Sequence, residues 1–219
     1  MLSKEFIIKQ IPQLKPTDTG VKALSFMDEY KLRHLPVVKE GQYQFLLIEK
    51  EVFQMSDPIN PIENLSVYAP FVNPEVPILE VLRLMGNEKL SFLPVVSSDG
   101  TYLGGITLEV LTTKLAELTN AIGNGALIAL EINQQDYLLS EIVRVVESNN
   151  AKILSLFTYP VESTAKLTVL MKINLEDASI VLRSLERFNF HILYYFQEKG
   201  LVDDIAKKRL DELMYYLEM

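Results

Sequence analysis

Apolar positions along the chain change period several times, and each change marks an element. Ile78, Leu82 and Met85 stand at i, i+4 and i+7, the spacing of one helix face. A β-branched strand follows at Pro94-Val95-Val96, where the proline fits only a strand start or an edge. Ser98-Asp99-Gly100 carries an Asp-Gly hairpin signal. Tyr102 to Ile106 then reads as the returning strand, and a closing helix spans about Leu108 to Thr119. The same order occurs upstream, around Pro36-Val37-Val38. After the Gly/Asn linker Asn120 to Gly125 the pattern is different. Ala126 to Ile132, Ile153 to Tyr159, Leu167 to Ile173 and His191 to Phe196 read as four strands. Leu139, Ile142, Val143 and Val146 predict a helix capped by Asp136, and Ala178, Val181, Leu182 and Leu185 a second behind Asn174. The order βαββαβ is the ferredoxin-like split βαβ. Past Gly200, Val202, Ile205, Leu210, Leu213, Met214 and Leu217 form the stripe of a C-terminal helix over 201–218. Asp203/Lys207 and Asp204/Lys208 support it as i, i+4 pairs.

The first half is an internal repeat. Residues 15–52 align with 73–110 at a constant offset of 58 without a gap, and 12 of the 38 pairs are identical. They include Pro16/Pro74, Met27/Met85, Lys31/Lys89, Ile48/Ile106, Glu51/Glu109, Val52/Val110 and the block Leu35-Pro36-Val37-Val38 against Leu93-Pro94-Val95-Val96. One helix–strand–strand–helix copy is too small to bury both faces of its sheet. Two copies are therefore expected to pack sheet against sheet about a pseudo-twofold axis. The expected division is repeat one over 1–60, repeat two over 61–122, a second domain over 123–199 and the terminal helix over 200–219. The fold class is α+β.

Composition narrows the chemistry. The chain has no Cys, which removes disulfides, thiolate zinc sites and cysteine nucleophiles. Two His without metal-ligand spacing give no support for a metal site. The net charge of −8 lacks a basic half, since residues 1–122 hold 11 Lys/Arg against 15 Asp/Glu and residues 123–219 hold 10 against 14. That balance argues against binding nucleic acid or an anionic membrane. No stretch approaches the length of a membrane span and the N-terminus does not read as a signal peptide, so a cytoplasmic location is expected. Gly123-x-Gly125 precedes a strand, so it is not a dinucleotide loop. No P-loop, serine-hydrolase elbow or paired carboxylate appears, and the chain is not expected to be an enzyme.

The pattern Lys-Leu-x-x-Leu-Pro-Val-Val…Asp-Gly-x-x-x-Gly-Gly-Ile-Thr, strongest in the second copy, resembles a CBS domain, the regulatory unit that occurs as tandem pairs. Residues 126–196 are similar to an ACT domain, and the combination resembles acetoin-utilisation-type CBS–ACT regulatory proteins. The resemblance implies a regulatory module that binds AMP, ATP or another adenosyl ligand in the cleft between the copies and acts as a homodimer on a partner protein. The alternative is an interaction scaffold whose pockets have degenerated.

By that resemblance, Thr107 stands at the phosphate-binding hydroxyl position behind Gly104-Gly105, and Val110 replaces the ribose-binding Asp. In the first copy the offset of 58 puts Glu49 and Val52 at these positions. Arg33, His34 and Pro36 form the base loop opposite Ser91, Phe92 and Pro94, where Arg33 would pair a phosphate and Phe92 stack on adenine. Thr107 as a helix N-cap is the competing role. In the second domain Gln134, Asp136 and Tyr137 stand where ligand-binding ACT domains carry Asp, Pro and Gly, which argues against amino-acid binding in the usual manner.

Overall fold

The computed structural model describes residues 1–63, 65–162 and 164–197. The chain divides into two compact units, Met1–Leu115 and Ala116–Met219.

In the first unit, α1 (Gly20–Tyr30) begins behind Thr19, whose hydroxyl accepts from Lys22 N at 3.3 Å. It ends at Lys31, which turns left-handed at φ 54°. Its counterpart α3 (Ile78–Asn87) follows Pro77, and Lys89 repeats the same φ of 54° beyond its end. The buried face of α3 is Ile78, Val81 and Met85. Leu82, assigned to that face from its spacing, is instead 39% exposed, because the helix rolls to bury Val81. Two antiparallel hairpins follow these helices: β1 (His34–Lys39) with β2 (Gln42–Ile48), and β3 (Phe92–Val96) with β4 (Tyr102–Thr107). The closing helices are α2 (Glu49–Phe53) and α4 (Leu108–Leu118).

Strand register corrects the gapless alignment. Pro36 faces Leu46 and Val38 faces Tyr43, whereas Pro94 faces Gly105 and Val96 faces Tyr102. The first strands are thus 58 residues apart and the returning strands 59 (105 − 46 and 102 − 43), so the second hairpin is one residue longer. Gly41 (φ 82°) and Gly100 (φ 86°) are the equivalent turn glycines, both in the left-handed region that glycine tolerates. Tyr43 and Tyr102 are equivalent in the same way. They mark the pseudo-twofold axis, where Tyr43 N donates to Gly100 O (3.1 Å) and Tyr102 N to Gly41 O (2.9 Å).

Each hairpin is flanked on both sides by further chain. Leu14 lies beside β1 and Val72 beside β3, each from the segment before its own helix. The outer edges are exchanged between copies. Ile8 N donates to Gly105 O (2.8 Å) and Ile8 O accepts a return bond from Gly105 N (3.0 Å), while Leu46 N donates to Tyr68 O (2.9 Å). One shared core results, in which Leu14, Leu35, Leu46, Leu47, Ile62, Phe92, Leu93 and Ile106 are wholly buried.

The second unit has the βαββαβ order. Its strands β5 (Ala126–Asn133), β6 (Ile153–Pro160), β7 (Lys166–Ile173) and β8 (His191–Phe196) form one antiparallel sheet in the order β6-β7-β5-β8. Helices α5 (Leu139–Ser148) and α6 (Ser179–Arg187) pack on one face. Ile142, Val145, Val146, Val181 and Leu185 meet Ile128, Leu130, Val169, Met171 and Ile173 there. Both helices start later than their sequence caps predict. A 3-10 turn over Gln134–Asp136 intervenes before α5, and Asp136 accepts from Asn133 Nδ2 (2.9 Å) instead of capping. Asn174 Oδ1 accepts from Lys152 N (2.6 Å), tying β7 to the start of β6, and Asp177 Oδ1 takes Ser179 N (2.9 Å). The C-terminal helix expected over 201–218 lies outside the described residues.

The exchanged edge rests on Gly104, at φ 133°, where a Cβ would come within 2.6 Å of Ile8 O and 2.5 Å of Ile7 Cγ2. Gly104→Ala is expected to cost at least about 2 kcal/mol in urea unfolding, from a disfavoured φ together with a backbone clash. Gly86→Ala, helical and with open space around its Cβ, is the control. It should be neutral or gain up to about 1 kcal/mol. Equal stability of the two variants would remove Ile7-Ile8 from this edge.

Candidate functional site

The residues singled out by resemblance do come together, where the hairpins meet at the axis. Phe92 faces Thr107 and Pro94 faces Gly105 across the β3–β4 ladder. Arg33 N donates to Ser91 Oγ (3.0 Å), which lies 2.9 Å from His34 Nδ1, and Ser91 N also donates to that nitrogen (3.2 Å). Two donors on Nδ1 place the imidazole proton on Nε2. The residue pairs that face each other are Arg33-His34 and Ser91-Phe92, so the axis joins unlike partners.

Here the chain fills its own cleft. Pro36, Pro94, Gly104 and Gly105 are buried, Phe92 is inaccessible, and of this set Arg33 alone is exposed. A Cβ at Gly105 would fall 2.0 Å from the Phe92 ring, so that ring fills the space the glycine leaves. Gly104 receives Ile7 and Ile8 in the same manner. The glycines thus admit the protein's own aromatic ring and N-terminal segment, and Phe92 presents no free face for a base. Thr107 Oγ1 accepts from Val110 N (3.3 Å) as the N-cap of α4.

The corrected register also moves the first-copy positions. Ile48, not Glu49, corresponds to Thr107, and Glu51, not Val52, corresponds to Val110. Glu51 has the acid type expected there, but its carboxylate accepts from Ile48 N (3.0 Å), satisfying the N-cap amide of its own helix. The glutamate expected at the phosphate position is therefore displaced from it by one residue.

A groove of about 600 Å³ opens in the first copy, away from this junction. Pro16 and Val38 line it together with Lys15, Thr17, Lys39, Glu40 and Glu63. At the related place in the second copy Ser3 Oγ donates to Asn73 O (2.7 Å), Lys4 N to Pro74 O (3.0 Å), and Lys4 Nζ pairs Glu75 at 2.8 Å. The N-terminal residues thus hold down this ledge; in the first copy Ile62 N donates to Asp18 O (2.9 Å) at the equivalent place, and Glu63 stands where Lys4 does. Sequence reasoning missed this groove, although its residues lie on the Pro-containing entry and the hairpin turn that the repeat had marked.

In the second unit, a concavity of about 550 Å³ is lined by Glu131, Asp136, Glu141, Lys166 and His191 among others. Glu131 Oε1 accepts from Lys166 Nζ (2.7 Å) and lies 3.4 Å from His191 Nδ1. The Lys166 hydrogen bond is the main cause that keeps this carboxyl below its usual range. No group of three or more His, Asp or Glu able to hold a metal occurs among the described residues. No helix among them is long and apolar enough to cross a membrane.

Two interlocked helix–strand–strand–helix copies are followed by a four-stranded antiparallel sheet with two helices in βαββαβ order. The CBS domain family matches residues 4–44 and 50–117, and the chain is a CBS-domain protein. It is 26% identical over 108 residues to inosine-5'-monophosphate dehydrogenase of Korarchaeum cryptofilum, covering 49% of this chain and 23% of that protein. The chain thus spans about a quarter of the length of that curated relative. Among solved structures, a CBS domain pair/ACT domain protein from Thermotoga maritima shares 23% identity at a TM-score of 0.49, over 53% of this chain and 98% of that one. CBSX2 in complex with AMP shares 18% at a TM-score of 0.47, over 53% and 96%.

Burial, and secondarily the Arg33 charge, pushes the His34 pKa down to about 4 from an ordinary 6.5. The folded protein keeps this imidazole neutral while the unfolded chain protonates it. Its contribution is therefore complete above pH 6.5 and is lost as pH falls toward 4, at up to about 1.4 kcal/mol per pH unit. His34→Gln should flatten the stability–pH curve relative to wild type between pH 6.5 and 4 in urea titrations. Parallel curves would show that His34 titrates normally. Thr107→Val should cost about 1 kcal/mol through loss of the cap.

Proposed function

We propose that this chain is a regulatory, non-catalytic module that senses an adenosine-bearing ligand through the first-copy groove and acts as a homodimer on a partner protein. The groove carries this reading. It has the volume of a small-molecule site, Pro16 and Val38 for a base to pack on, and Lys15, Lys39 and Thr17 for phosphate or ribose oxygens, beside the carboxylates of Glu40 and Glu63. The cleft at the axis offers no such space, since Phe92, Gly104 and Gly105 are taken up by the chain's own packing. By linkage, a ligand held in the groove shifts the dimer only as far as it binds one arrangement better than another. The sealed junction favours a second reading, an interaction scaffold that regulates its partner without a small molecule.

Calorimetric titration with AMP, ATP and S-adenosylmethionine separates the two. AMP is the first to try, being the ligand that CBSX2 holds. Under the sensing reading at least one of the three binds saturably. Lys15→Glu with Lys39→Glu should then weaken binding by about tenfold or more, as expected for losing a charge-assisted hydrogen bond. Thr107→Val should leave affinity unchanged while lowering stability. If millimolar AMP, ATP and S-adenosylmethionine all fail to bind, the scaffold reading stands. Light scattering should give a mass near 50 kDa, twice the 25.0 kDa chain, and a monomer at tens of micromolar would contradict the homodimer.

A further inference from the structure

A buried lysine stands in the sheet of the second unit. Met171 and Ile173 of β7 pack into the core beneath α5 and α6, so Lys172 between them points to the opposite face. There it pairs with Ser155 of β6 on one side and Leu127 of β5 on the other, and Leu127 in turn pairs with Phe196 of β8. Phe157, Leu170 and Ala129 form the adjoining row. A lysine on an open sheet face ordinarily carries its ammonium out to water. Lys172 is instead only 8% exposed. Its Nζ donates to the carbonyls of Ala121 (3.3 Å) and Gly123, in the linker that precedes β5. Asn120 ties that linker to β6, since its Nδ2 donates to Leu154 O (3.3 Å). Two neutral carbonyls occupy two of the three ammonium protons and leave the charge itself uncompensated.

A concavity of about 400 Å³ opens at this lysine. Among the described residues Lys172 is the one charged side chain that lines it, and no carboxylate does. Ser155 adds a hydroxyl, while Leu127, Phe157, Leu170 and Phe196 give it an apolar wall. We propose that this concavity binds a monocarboxylate with an apolar body. The carboxylate accepts the remaining Nζ proton and the Ser155 hydroxyl, which supplies the charge that Lys172 lacks. The aliphatic or aromatic body lies on Leu127 and Leu170 and covers the half-exposed rings of Phe157 and Phe196. Charge also sets the specificity. An amino group beside the carboxylate would stand next to the Lys172 ammonium with no acid in the lining to receive it, so amino acids are selected against. A neutral amide of the same shape would leave the buried cation unpaired. The class that fits is therefore the simple or 2-oxo acid with a branched, aromatic or alkyl chain.

Calorimetric titration of the full chain with 3-phenylpropanoate, an aromatic acid, and octanoate, an alkyl acid, tests the site. At least one should bind saturably at one per chain, and the tighter of the two tells a small aromatic metabolite from a fatty-acid source. For each acid that binds, the amide, which lacks the charge, and the 2-amino acid, which adds an ammonium, should bind at least about tenfold more weakly. Lys172→Gln keeps a donor for the linker carbonyls but removes the charge, and should weaken the acid by at least about tenfold as well. Circular dichroism confirms folding of the variant. If it folds poorly, Ile122→Asp makes the same test, because it puts a carboxylate at the concavity from a position that is 74% exposed. The proposal is overturned if neither acid binds at about 10 mM. It is equally overturned if the amide or the amino acid binds as well as the acid, or if affinity is unchanged in the folded variant.

Discussion

A two-stranded hairpin has two open edges, and in the first unit each copy closes its outer edge with chain that belongs, in sequence, to the other. Ile8 precedes the first copy yet lies along β4 of the second. Tyr68 precedes the second copy yet lies along β2 of the first. The reciprocal bonds at Tyr43 and Tyr102 pin the hairpins together at the axis. Unpaired backbone in a core is costly, so this exchange dictates much of what surrounds it. It requires Gly104, because only a residue without a Cβ admits Ile8 O at that distance. It also makes the two copies one cooperative core, since neither can leave without baring the edge of the other's sheet.

The same constraint shapes the chemistry. Adenosyl ligands would need open backbone and a free hydroxyl at the axis. That space already holds Phe92 over Gly105 and a neutral histidine locked to Ser91. Thr107 and Glu51, at equivalent ends of α4 and α2, both cap helices: the hydroxyl takes the N3 amide and the carboxylate takes the N-cap amide. The open groove lies in the first copy, away from this junction. There Glu63 occupies the kind of position that Lys4 uses in the second copy to clasp Glu75.

Much of the architecture is readable from residues because the patterns are local. The block Leu-Pro-Val-Val twice over gives the repeat, and four β runs around two amphipathic helices give the order of the second unit. The register departs from the gapless alignment for a specific reason. The gapless alignment collects the coincidental matches Ile48/Ile106, Glu51/Glu109 and Val52/Val110, whereas the true pairing trades them for Gly41/Gly100 and Tyr43/Tyr102. Those two pairs carry physical meaning, a left-handed turn and an axis contact, and they were the available signal. Helix starts failed differently. Asp136 and Asn174 have the right chemistry for caps, but tertiary bonds to Asn133 and Lys152 claim their side chains. The Leu82 error has a third origin, since spacing identifies a helix stripe without fixing which edge of it turns inward.

The unlike surfaces of the two copies have a consequence for stoichiometry. Two copies related by a true twofold would offer two like sites and, with them, the means for cooperative occupancy within one chain. Here one copy presents a groove ringed by Lys15, Lys39, Glu40 and Glu63, and the other presents a ledge already clasped by Lys4. A symmetric frame thus becomes a directional one, with a front and a back. A small molecule accepted by such a frame would arrive as one per chain and read out as a simple hyperbola, and sigmoidal behaviour would have to arise between chains.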